Sequence, residues 1–184
     1  MQILYYAFSK ESPQIIDKSV YNTISCKECG HEIREIIKLG VYLPKAKKTF
    51  GIIATLGGLI ASEKSVDYLY SEGIKDFEVQ NAEVTFGNGI QDGDKFYWIK
   101  PIEQIELDVK RGPGPEITCN VCERREWKDN GITLPKVMTI ISSEVSQIKY
   151  TWLYIVSDNF IKISKKTPNG CYLNFEPWYY DELV

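Results

Sequence analysis

The sequence predicts an α+β protein, rich in strands, with two pseudo-equivalent halves that arose by internal duplication. Two observations lead to that class. The first is a set of echoes in the same order along a chain of 184 residues. Ile24-Ser25-Cys26-Lys27-Glu28-Cys29 returns as Ile117-Thr118-Cys119-Asn120-Val121-Cys122. Gly40-Val41-Tyr42-Leu43-Pro44-Lys45 returns as Gly131-Ile132-Thr133-Leu134-Pro135-Lys136, and Ile60-Ala61-Ser62-Glu63 as Ile155-Val156-Ser157-Asp158. The second is a series of short runs with apolar residues at alternate positions, bounded by turn residues, as strands with one buried face require.

The elements follow in chain order. Met1-Gln2-Ile3-Leu4-Tyr5-Tyr6 reads as an opening strand, without the basic start and long apolar stretch of a signal peptide. Each half then repeats one plan: a strand, a CxxC knuckle, a G-x-x-L-P turn, an apolar strand, a short helix and a final strand. Ser62 and Ser157 suit the N-cap of the two helices, because a serine hydroxyl accepts from an orphan amide of the first turn. Val66, Leu69 and Tyr70 give the first helix an apolar face; Phe160, Ile161 and Ser164 do so less fully for the second. Phe77 and Val79 alternate in the strand after the first helix, and Cys171, Leu173 and Phe175 after the second. Gly87-Asn88-Gly89 and Asp92-Gly93-Asp94 mark a hairpin loop. Ile105, Leu107 and Val109 alternate along a further strand. Arg111-Gly112-Pro113-Gly114-Pro115 breaks it, so residues 1–110 form the first repeat with a hairpin extension and residues 111–184 the second, packed as one unit.

Composition bounds the function. Hydrophobic residues make up 43% and charged residues 26%, which places the chain among globular proteins and not disordered ones. No apolar run reaches the ~18 residues of a membrane-spanning helix, and a cytoplasmic location is expected. The net charge of −3, spread evenly along the chain, offers no basic stripe for a nucleic-acid backbone.

The chemistry lies in the cysteines. Four of the five form two CxxC pairs, Cys26 with Cys29 and Cys119 with Cys122. A two-residue gap turns the chain so that both sulfurs face one ion, and a closed tetrahedral zinc site takes four such ligands. The expectation is one structural Zn2+ shared by all four and bridging the halves. Two other readings stay open: a disulfide within each pair, and a separate metal in each half. For the latter the sequence offers only His31, two residues past Cys29, which also reads as a surface loop residue. Gly30 can take the positive φ of a knuckle, whereas Glu123 holds that place in the second. Lys27, Arg124 and Arg125 stand close enough in sequence to offset a zinc–tetrathiolate charge. Cys171 aligns with Phe77 and reads as a buried, inert thiol.

No H-E-x-x-H, P-loop, G-x-S-x-G or G-x-G-x-x-G occurs, so no enzymatic activity is expected. The knuckle Cys26-Lys27-Glu28-Cys29-Gly30 with its second CxxC resembles the double-CxxCG immunity proteins of bacterial toxin–immunity systems. Ser62-Glu63-Lys64-Ser65-Val66-Asp67-Tyr68-Leu69 followed by Gly73-Ile74-Lys75-Asp76-Phe77-Glu78-Val79 is similar to theirs, a short helix running into a G-x-x-x-F strand. The resemblance implies a protein that binds and neutralises a cognate toxin, with zinc serving only the scaffold. Phe175-Glu176-Pro177-Trp178-Tyr179-Tyr180-Asp181-Glu182 reads either as aromatic anchors for such a partner or as a terminal strand on the core. The alternative is a zinc-ribbon module for nucleic acid or a transcription partner, with Arg124-Arg125-Glu126-Trp127-Lys128 as its only basic face.

Overall fold

The computed structural model describes residues 4–9, 15–44, 50–55, 57–87, 93–105, 116–117, 119–122, 125–126, 143–148 and 154–178. The strands are β1 (Leu4–Ser9), β2 (Ile16–Asp17), β3 (Val20–Ser25), β4 (Glu32–Leu43), β5 (Ile52–Thr55), β6 (Gly58–Ser62), β7 (Phe77–Phe86), β8 (Phe96–Pro101), β9 (Glu103–Ile105), β10 (Glu116–Ile117), β11 (Arg125–Glu126), β12 (Val145–Ile148), β13 (Tyr154–Ser157) and β14 (Cys171–Trp178). Two short helices, α1 (Glu63–Ser71) and α2 (Asp158–Ser164), complete the described residues. The protein is thus a strand-rich mixed sheet with two helices. None of the described helices is long and apolar enough to cross a membrane.

Most strands join one sheet in the order β2-β4-β7-β8-β6-β5-β14-β1-β13-β12-β9, with β3 beside β4. Within that order lie two four-strand blocks of the same layout. In the first, β5 and β6 form an antiparallel hairpin, α1 leaves the end of β6, β7 returns, and β8 fills the slot between β6 and β7. In the second, β12 and β13 pair antiparallel, α2 leaves the end of β13, β14 returns, and the slot between β13 and β14 is filled by β1. The blocks meet where β5 runs parallel to β14, with Ile52 opposite Cys171. The middle strand of the second block therefore comes from the start of the chain.

Alternation of side chains along the strands builds two cores. Ile52, Ala54, Leu59, Ala61 and Ile99 face the helices and pack with Val66, Leu69, Phe160, Ile161 and Leu173. Ile53, Ile60, Phe96 and Trp98 point the other way and meet Leu39, Val41, Leu43, Val84 and Phe86. Cys171 opens β14 as Phe77 opens β7, and is half-buried against the first core, less enclosed than Phe77. Val79 does not share the burial of Phe77: it is exposed, because β7 leaves the helices behind and buries its even positions, Val84 and Phe86, on the opposite face. Phe175 packs on the first core, as a docked terminal strand would. Residues 179–184 lie outside the described residues, as do Leu107, Val109, Arg111–Pro115 and the second G-x-x-L-P segment.

The first G-x-x-L-P segment is strand as far as Leu43, not a turn. Gly40 serves a close approach instead. A Cβ there would stand 2.7 Å from the Lys18 carbonyl oxygen, and Gly40 O accepts from Lys18 N–H at 2.9 Å while its N–H donates to Ser19 Oγ. The glycine lets the corner between β2 and β3 lie flat on β4.

Ser62 and Ser157 both occupy N-cap positions, with different bonds. Ser157 Oγ accepts from Phe160 N–H at 2.9 Å and donates to the Glu144 carboxylate. Ser62 makes no side-chain cap; its hydroxyl donates to Ser65 Oγ, which in turn donates to the Pro168 carbonyl. Ser157→Ala is therefore expected to cost about 1–2 kcal/mol and to speed amide exchange at Phe160. In Ser62→Ala the exchange of the Ser65 amide should stay as it was. Equal acceleration at both positions would contradict this assignment.

Candidate metal centre

Each CxxC pair sits at the tip of a β-hairpin. Antiparallel pairing of β3 with β4 ends at Ser25 opposite Glu32, leaving residues 26–31 to turn the chain. Cys26 N–H donates to His31 O at 2.8 Å and Gly30 N–H returns to Cys26 O at 2.9 Å. Gly30 adopts φ 71°, with no atom within 4 Å of where a Cβ would stand. A side chain there would meet backbone strain of roughly 1–2 kcal/mol and nothing else. The second hairpin pairs Ile117 with Arg125 and Glu116 with Glu126, so Cys119 and Cys122 occupy its turn. Glu123 and Arg124 lie outside the described residues.

The two tips bring all four ligand sulfurs within 4.8 Å of one another. Cys26 Sγ lies 3.8 Å from Cys119 Sγ, and Cys29 Sγ 3.6 Å from Cys122 Sγ. These separations are far beyond the ~2.05 Å of a disulfide. They match the ~3.8 Å edge of a tetrahedron whose metal–sulfur bonds are ~2.3 Å. The donor set thus fits a tetrahedral, thiophilic ion, and the cluster is a group that could hold one. It joins two segments far apart in sequence.

Backbone amides favour the thiolate form. The N–H groups of Cys29 and Glu28 point at Cys26 Sγ and outweigh the cost of burial, lowering its pKa to about 7; Cys122 and Cys29 sulfurs add to the effect. In the second turn the amides of Cys122 and Val121 lower Cys119 in the same way. A CxxC turn aims its third and fourth amides at its first sulfur, so one spacing supplies both ligands and charge stabilisation. The sequence pointed to the four clustered cysteines but not to these amide donors, although the spacing that places them was visible.

His31 is exposed and stands outside the cluster, as does the half-buried Cys171. Lys27 is exposed beside the first knuckle; the Arg125 side chain is not among the described ones. Against known proteins, the chain matches no family model, no curated protein and no solved structure.

Proposed function

We propose that the four cysteines hold one structural Zn2+ and that the protein is an immunity protein, which binds and neutralises a cognate protein toxin in the cytoplasm. The closed donor set carries the metal half of this reading. Four sulfurs complete a tetrahedron, leaving no position for a substrate or an activated water, as a catalytic zinc would need. Sulfur-only ligation selects thiophilic ions, and among copper(I), iron and zinc, the metals that thiolate sites take, zinc is the one without redox chemistry of its own.

The binding half rests on the resemblance to the double-CxxCG family and on how the segments behind it are arranged. Gly30 takes the left-handed conformation after the first knuckle. Gly73, with φ 90°, ends α1, and Phe77 starts the next strand as a buried core residue. The matching four-strand blocks support an internal duplication in which β1 supplies the strand that the second half lacks. An acidic chain also suits a basic toxin, whose encounter it would steer.

One observation favours a second reading. Two hairpins meeting tip to tip over four cysteines is also the layout of a zinc ribbon, which would bind nucleic acid or a transcription partner. Co-expression separates the two. The protein should restore growth to cells producing the toxin encoded beside its own gene, and should not retard labelled nucleic acid at low salt. Failure to rescue, together with a salt-sensitive shift, would replace the first reading with the second.

A further inference from the structure

The four sulfurs are unequally placed. Cys26 and Cys119 are 7% and 5% exposed, whereas Cys29 is exposed and Cys122 half-buried. The open edge of the cluster is the Cys29–Cys122 pair, with its sulfurs 3.6 Å apart and one sulfur from each hairpin. Each hairpin thus contributes one buried and one more accessible sulfur.

We infer that Cys29 and Cys122 form a peroxide-reactive thiol pair, which closes to a disulfide between the hairpins and releases the metal. This rests on the reading of the cluster as a zinc centre. Access decides which sulfur reacts first, since thiolate character is shared by all four ligands of a bound metal. The Cys29 thiolate attacks one oxygen of hydrogen peroxide, the O–O bond breaks, and a sulfenic acid forms as hydroxide leaves. The Cys122 thiolate then attacks that sulfur, forming the S–S bond and expelling a second hydroxide. Two thiolates have lost two electrons, and peroxide with two protons has become two waters. The sulfurs need only close from 3.6 Å to about 2.05 Å. The two remaining thiolates cannot hold a tetrahedral ion, so the zinc leaves. The outcome differs from oxidation within each knuckle, which would part the hairpins: here the hairpins stay joined, by a covalent bond in place of the metal.

The sequence makes the test direct. Trypsin cuts after Lys27, separating Cys26 in peptide 19–27 from Cys29 in peptide 28–34, while Cys119 and Cys122 share peptide 112–124. The whole protein is first assayed for zinc, treated with one equivalent of hydrogen peroxide, alkylated, digested and mapped by tandem mass spectrometry. The expected first product links 28–34 to 112–124 through Cys122, leaves peptide 19–27 alkylated, and appears in step with loss of the zinc to a chromogenic chelator. A first product that contains peptide 19–27 in disulfide linkage, or zinc retained after peroxide is consumed, overturns the inference. Protein without zinc at the outset overturns the metal reading instead.

Discussion

A chain lacking residues 1–9 is expected to lose the entire second block, from β12 to β14, in one cooperative step. β1 is the middle strand of that block. Leu4–Ala7 pair with Tyr154–Ser157 on one side, and Leu4–Ser9 with Leu173–Trp178 on the other. Removing it exposes two strand edges at once, and β13 is buried at every position. Each ladder hydrogen bond lost to water costs about 0.5–1.5 kcal/mol net, so the bonds on both flanks together approach the ~5–15 kcal/mol that holds a whole domain folded. Ala7 also leaves the core it shares with Tyr154, Val156 and Leu173, and Tyr5 no longer packs there. Hydrogen exchange should show Val145–Ile148, Tyr154–Ser164 and Cys171–Trp178 unprotected. Adding a peptide of residues 1–9 in trans should restore their protection. A truncated chain with an unchanged melting temperature would show that β1 is an accessory strand and that the second block closes by itself.

That dependence is the part of the fold least readable from sequence. The run Met1–Tyr6 read as an opening strand, but a local run names a strand and not its neighbours, and the echoes gave each half one plan without showing that the opening strand completes the second. Local signals fared better. Ile60–Glu63 and Ile155–Asp158 do mark equivalent strand-to-helix junctions, because a polar N-cap after a β-branched or apolar strand end is a local pattern. Ser62 shows the limit of such a pattern: it sits at the cap position, yet Ser65 lies within reach and takes its hydroxyl. Gly40 was read as a turn because glycine usually marks one. Its actual task, admitting the Lys18 carbonyl, is set by a segment some twenty residues away that no local pattern announces. The four-cysteine cluster was legible because CxxC spacing fixes a short turn by itself, and only the meeting of the two turns needed the fold.

Metal removal should open the molecule from the hairpin tips and stop at a definite place. The reduced protein is expected to carry one equivalent of zinc by elemental analysis, and Cys26→Ser to lose it. Structural zinc contributes on the order of 10 kcal/mol of apparent binding energy in small fingers, where it is nearly the whole of the fold. Here the sheet has two cores of its own, and neither contains a residue of β3. That strand is exposed at every position but half-buried Tyr21, and it pairs only with β4. Its pairing slips at a bulge between Val20 and Tyr21, opposite Ile37. Beyond that bulge β4 changes character: Leu39, Val41 and Leu43 are buried and run beside β7. Chelation should therefore raise exchange over residues 20–37 and 116–126 first. Leu39–Leu43 should keep their protection, along with Gly58–Ser62, Phe96–Pro101 and Tyr154–Ser157. Loss of protection across all of these together would mean that the metal nucleates the whole sheet. No change at β3 would mean that the hairpin arm holds without it, and that the ion is no clasp.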